Sequence, residues 1–202
     1  MFALLALVTL MGAECTFVGT SGGNRDQEDG DRAGLIVVVR DGRLVDGPVQ
    51  GVGYISGGQS GVTGFDGEFR YEEGKSVRFF IGDLMLGEAA AGKAVITPLD
   101  LVPGGTLDST AVINIARLLQ SLDSVPGDDR ITIPATLQRA AAAGSAQVGA
   151  AIRDLDFADP TAFTNAASQL VASLTASYPF TASLVDAQTA REHLRAAIAA
   201  SP

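Results

Sequence analysis

The sequence predicts an α+β protein, with an N-terminal antiparallel β-sandwich-like part followed by an all-helical C-terminal part. Two observations carry that expectation. From Gly34 to Thr97, short apolar and aromatic runs are separated by Gly and Asp turn signals, the pattern of several short strands. Past Pro103 the apolar residues recur at helical spacing instead. The chain has 202 residues, of which 47% are hydrophobic. Less a leader and a tether, about 165 residues remain for folding, enough for one domain or two small ones.

The elements follow in order. Leu35 to Arg40 is a β-branched run, and Asp41-Gly42 reads as a turn after it. Gly51 to Ser56 alternates. Gly64-Phe65-Asp66-Gly67 is a second turn, in which Asp66-Gly67 suits a tight hairpin. Glu68 to Tyr71 alternates polar with aromatic, and Glu73-Gly74 turns again. Ser76 to Ile81 reads as a strand and Leu84 to Leu86 as a short one. Phe69 and Phe79 are the expected sandwich core.

In the second half, Val112, Ile115, Ala116, Leu119 and Leu122 share one helical face, with Asp108 or Ser109 to cap it. Leu137, Ala141, Val148 and Ile152 suggest a looser stretch that Gly144 splits. Asp159 is an N-cap with Pro160 at the first helical position, where its missing N–H costs nothing. Phe163, Ala167, Leu170, Val171 and Leu174 then form a stripe. Asp186 caps a last helix with Ala187, Ala190, Leu194, Ala197 and Ile198 expected inward. These narrow, alanine-rich faces need an outside surface to bury. The connector from Thr97 to Gly105 carries Leu99, Leu101 and Val102, which a free linker would leave in water.

At the N-terminus, Phe2 to Ala13 is apolar and ends just before Cys15, the single cysteine. The run is too short to span a bilayer and fits the core of a secretory signal. The expected organisation is therefore a signal peptide over 1–14, a flexible tether over 15–33, a β-sandwich domain over 34–102 and a helical domain over 106–202. A conventional signal cut after Ala13, or an ordinary buried apolar segment, are the alternatives. One cysteine excludes an intramolecular disulfide.

Cys15, placed after that run and before the polar stretch from Gly19 to Gly34, resembles the lipidated first residue of a mature bacterial lipoprotein. Asp46-Gly-Pro-Val-Gln-Gly-Val52 and Gly61-Val-Thr-Gly-Phe-Asp-Gly-Glu-Phe69 resemble the carboxypeptidase-regulatory-like, transthyretin-like β-sandwich. Pro48, Val49, Gly51, Thr63, Asp66, Gly67 and Phe69 occupy that family's motif positions. The stretches Val77–Gly87, Thr97–Leu101 and Asn114–Leu122 are similar to a module of exported bacterial lipoproteins and surface proteins. These resemblances imply export to the bacterial cell envelope and a palmitate-bearing anchor at Cys15. They also imply a membrane partner through lipid only, with an unknown protein or glycan partner at the envelope.

Composition narrows the chemistry. The formal net charge is -9, which opposes nucleic acid as a partner, because phosphate binding needs clustered Lys and Arg. The sole histidine, His193, has no nucleophile or orienting acid marked near it in sequence. It reads as a partly exposed structural residue. Transition-metal binding is opposed by one cysteine and one histidine. No cofactor is implied except calcium, which takes several oxygens from a flexible loop. The segment Asp123 to Ile131 offers Asp123, Asp128 and Asp129 for it, although it lacks the Asp-x-Asp-x-Asp spacing of a calcium loop and a solvated turn in an acidic protein is the preferred reading. The functional expectation is a non-catalytic binding, display or scaffolding module of the envelope. The alternative is an exported carboxylate-dependent hydrolase using a pair such as Asp66 and Glu68.

Overall fold

The computed structural model describes residues 36–142 and 144–201. The signal and tether expectations, and Cys15 with them, lie outside the described residues. The strands are β1 (Val39–Leu44), β2 (Val49–Gln50), β3 (Gly53–Ser56), β4 (Gln59–Val62), β5 (Glu68–Glu72), β6 (Ser76–Ile81), β7 (Leu84–Met85), β8 (Ala90–Ala91), β9 (Val95–Ile96) and β10 (Ile131–Thr132). The helices are α1 (Thr110–Ser121), α2 (Ala135–Ala142), α3 (Ala146–Asp154), α4 (Pro160–Leu174) and α5 (Ala187–Ala200). The fold class is α+β, as the change of period predicts.

One sheet runs β5-β1-β9 and another β4-β3-β6-β7, with β8 also paired to β6. The pairings within them are antiparallel except β1 with β9. The two sheets meet through aromatic side chains. Phe69 of β5 stands edge-on to Phe79 of β6, with ring centroids 5.1 Å apart, and 5.9 Å from Tyr54 of β3. Both phenylalanines are fully buried. The alternation of β5 and β6 explains this: Phe69 and Tyr71 face in while Glu68 and Arg70 face out, and Val77, Phe79 and Ile81 repeat the pattern.

Two turn expectations are corrected. Asp41-Gly42 lies inside β1, and Gly42 pairs with Phe69 across the ladder. A Cβ there would collide with the Phe69 ring and the Lys93 carbonyl. Glycine is therefore required by packing, since the phenyl ring occupies the space a side chain would take. Asp66-Gly67 does not close a hairpin. It carries the chain from β4, paired to β3, across to β5, paired to β1. Thr63 anchors this crossing from the inside: its hydroxyl donates to the Val49 carbonyl (2.7 Å) and accepts from the Val52 amide (3.0 Å).

The helical half is sealed to the sheets. Ile115, Leu118 and Leu119 of α1, Leu137 of α2, Val148 of α3 and Phe163 of α4 share one apolar cluster with Phe69, Phe79 and Leu86. Strand β10, between α1 and α2, pairs in parallel with β2. Gln138 of α2 accepts from the Gly82 amide (2.7 Å) and donates to the Gly51 carbonyl (2.5 Å). The connector is packed rather than free, with Leu101 buried and its carbonyl accepting from Glu88 N–H at 2.8 Å. On α1, Ile113 joins Val112 and Ala116 against Ala190 and Leu194 of α5. Asp159 and Asp186 cap α4 and α5 through the amides two and three residues on. Ser109 is the N-cap of α1. Ala187, expected inward, is exposed in the first turn of α5, beyond the reach of the α1 contact.

Candidate functional site

A groove of about 1020 Å³ lies between the outer face of the β5-β1-β9 sheet and one face of α5. Its sheet wall follows from strand periodicity. Gly42 and Leu44 face the core, so Asp41 and Arg43 face out. The ladder sets Arg43 beside Glu68 on one side and Val95 on the other, and all three line the groove. The helix wall is His193, Ala196, Ala197, Ala200 and Ser201, residues spaced to share one helical face. Four of the five are small, which leaves the space between helix and sheet open. The neighbouring stripe of α5, with Ala190 and Leu194, is docked on α1; Ala197, expected inward with them, is half-buried at the edge between that stripe and the groove.

One end of the groove is built by the turn after β1. Gly47 there has φ of 72°, and an added Cβ would strike the Asp129 carbonyl and approach His193. Only glycine suits both the backbone and the contact. The preceding residue, Asp46, is fully buried. Gln120 of α1 donates to its two carboxylate oxygens, each at 3.1 Å. His193 Nε2 lies 2.9 Å from the Asp46 main-chain carbonyl and 4.0 Å from carboxylate Oδ1. Burial pushes the Asp46 carboxyl up to about 7, opposed by the Gln120 hydrogen bond and by the charge of His193 when protonated. His193 therefore lines the groove with a buried acid, Asp46, behind it.

The residues singled out in sequence divide. Asp66 and Glu68 both line the groove, and Glu68 Oε2 accepts from the Asp66 amide at 2.8 Å. Of the loop carboxylates, only Asp129 lines it. Asp123 turns inward, where Oδ1 accepts from the amides of Val125 (3.1 Å) and Thr132 (2.9 Å). Asp128 accepts from Arg130 N–H at 2.9 Å, and its other oxygen lies 3.6 Å from the guanidinium. Among the described residues no three His, Cys, Asp or Glu side chains gather as a metal-binding group. Asp46 and Gln120 lie in stretches that carry the family resemblances, but nothing in the sequence marked either as a site residue, and the small residues of α5 read as core. Asp46 is 74 residues from Gln120 and 147 from His193, so only folding unites them. The alanine spacing on α5 was the one legible trace.

Among the described residues no helix is long and apolar enough to cross a membrane. No family model matches the chain, and neither the curated proteins nor the solved structures give a match.

Proposed function

We propose that this protein is a non-catalytic cell-envelope lipoprotein, anchored through lipid on Cys15, that binds or displays a partner in the groove beside α5. The single observation that supports binding is the groove itself. Its volume of about 1020 Å³ stands at the upper end of ligand sites, about 300–1,000 Å³. Its walls combine Val45, Val95 and the alanines of α5 with a few charged side chains. That mixture suits recognition through apolar contact oriented by charge.

A second reading, an exported carboxylate-dependent hydrolase, draws on Asp46 beside His193 and on Asp66 and Glu68 at the rim. Against it, the imidazole Nε2 bonds a main-chain carbonyl, and Gln120 engages the buried acid. Neither arrangement aims a base at a nucleophile.

The test uses the native gene with its longest upstream start. Labelled palmitate should enter the native protein and not Cys15→Ser, and the variant should leave the membrane fraction. A photo-crosslinking residue at position 196 should give a discrete adduct in intact cells, and one at exposed position 173 on α4 should not. Equal labelling of both proteins sinks the anchor. Identical adducts from both positions sink the groove. Turnover of ester or glycoside substrates that disappears in both Asp46→Asn and His193→Ala would replace binding with hydrolysis.

A further inference from the structure

We infer that the groove takes an extended basic peptide segment in which Lys or Arg alternates with apolar residues. The inference rests on the binding reading above and names its ligand. Three features converge on it. The first is charge. Asp41, Asp66, Glu68 and Asp129 line the groove against Arg43 and His193. Among the described residues, the carboxylates of Asp41, Asp66 and Asp129 take part in no hydrogen bond or ion pair within the chain. They are exposed or half-buried and remain available to an incoming cation.

The second is the end of α5. Its last turn, with Ala200 and the C-cap Ser201, lines the groove and contains no basic residue. A helix C-terminus carries roughly half a negative charge in its unsatisfied carbonyls. Ser201 answers two of these carbonyls, through its amide to Ile198 O and its hydroxyl to Ala197 O at 2.9 Å; among the described residues of this turn no cation offsets the remaining partial charge, which favours a basic ligand.

The third is shape. The groove runs over the outer face of a sheet, where residues alternate with a period of two, and β9 is an edge strand of that sheet. Val45 and Val95 on the sheet side face the alanines of α5 across the groove, so both walls carry apolar surface. An extended peptide laid there presents alternate side chains to walls and rim. Its apolar residues meet the alanines while its cations meet the carboxylates and the helix end. An anionic or wholly polar ligand satisfies only part of this arrangement.

Fluorescence anisotropy on the full chain in neutral detergent tests it. The probe is a fluorescein-labelled heptapeptide alternating lysine with leucine. Two controls replace every lysine with glutamate, or every leucine with glycine. The lysine–leucine peptide should bind at least tenfold more tightly than either. Ala196→Trp with Ala200→Trp fills the groove at two exposed positions without changing charge, and should weaken binding at least tenfold while circular dichroism and Tm hold. Asp66→Asn, Glu68→Gln and Asp129→Asn together should do the same. Glu88→Gln, Asp108→Asn and Asp154→Asn, remote from the groove, should change affinity less than twofold. Equal weakening by the remote set would show general attraction to an acidic chain and overturn the inference. So would undiminished binding by the tryptophan variant. Failure of the peptide while the position-196 adduct persists in cells overturns the basic ligand and leaves the binding reading standing. Loss of both removes the two together.

Discussion

At the residue scale, Asp46 is the most consequential side chain. A carboxylate without solvent is expensive, and its proton is held until about pH 7 against an ordinary value of 3.8. The folded state thus binds a proton that the unfolded chain has released. The stability from this group is complete below the ordinary value and is lost as pH rises through 7. Calorimetry should therefore show this contribution to the native Tm falling as pH rises from about 4 to about 7, with a flatter profile for Asp46→Asn. At pH 8 the variant should be more stable by about 2 kcal/mol, on the order of 5 °C in Tm. A variant parallel to the native profile would show that Gln120 and His193 compensate the burial in full. The capping carboxylates Asp159 and Asp186 are shifted down, by backbone amides at Asp159 and first by the Thr189 hydroxyl at Asp186. They act in the opposite sense, losing their contribution as pH falls through the acidic range. Gly42 and Phe69 form a matched pair at the same scale. Phe69→Ala should cost about 3–5 kcal/mol through lost burial and a cavity. Gly42→Ala should cost about 1–3 kcal/mol by crowding the ring. Urea midpoints decide both; a Gly42→Ala cost near zero would mean that the ring can move aside.

At the element scale, α5 separates two jobs on two faces. Ala190 and Leu194 bind it to α1, and Arg191 adds a hydrogen bond to the Leu107 carbonyl at 2.9 Å. The adjoining face, with His193, Ala196 and Ala200 at its centre, lines the groove. Stability and binding are therefore expected to respond to different substitutions only two residues apart. Leu194→Ala should lower stability by about 2–5 kcal/mol. Ala196→Trp should change it by less than about 1 kcal/mol, because the position is exposed. Thermal unfolding of the two variants checks this, and a large loss from the tryptophan would show that the groove wall is packed in solution. The same helix shows how much was legible. Its cap at Asp186 and its inward Ala190 and Leu194 follow from local spacing. Its second role does not, because an alanine face looks alike whether it packs closely or leaves space.

At the scale of the whole molecule, strands and helices share one apolar cluster. Leu101 of the connector is buried within it, and Gln138 ties α2 to the loops at Gly51 and Gly82. Neither half has a complete interior alone: remove the helices and Leu86 and Phe79 lose neighbours; remove the sheets and α1 loses the cover over Leu118 and Ile115. A single calorimetric transition is expected, and a fragment from 106 to 202 should stay unfolded by circular dichroism. Two separated transitions, or a folded fragment, would show independent domains.

Local chemistry in the chain determined the class of fold, the order of strands then helices, and most of their ends. Alternation put Phe69 and Phe79 inside, and the side-chain oxygens of Asp159 and Asp186 reach their own helix amides wherever the helix sits. These effects act over a few residues, so one sequence read alone contains them. Tertiary structure decided the rest. Asp41-Gly42 became strand because the Phe69 ring needed the space, and Asp66-Gly67 became a bridge between sheets because their partners lay in different ladders. Asp46 became a buried acid, and His193 its neighbour, because helix docking brought together groups 147 residues apart. Desolvation, close packing and the open groove arise only when distant surfaces meet, and no local pattern carries that distance.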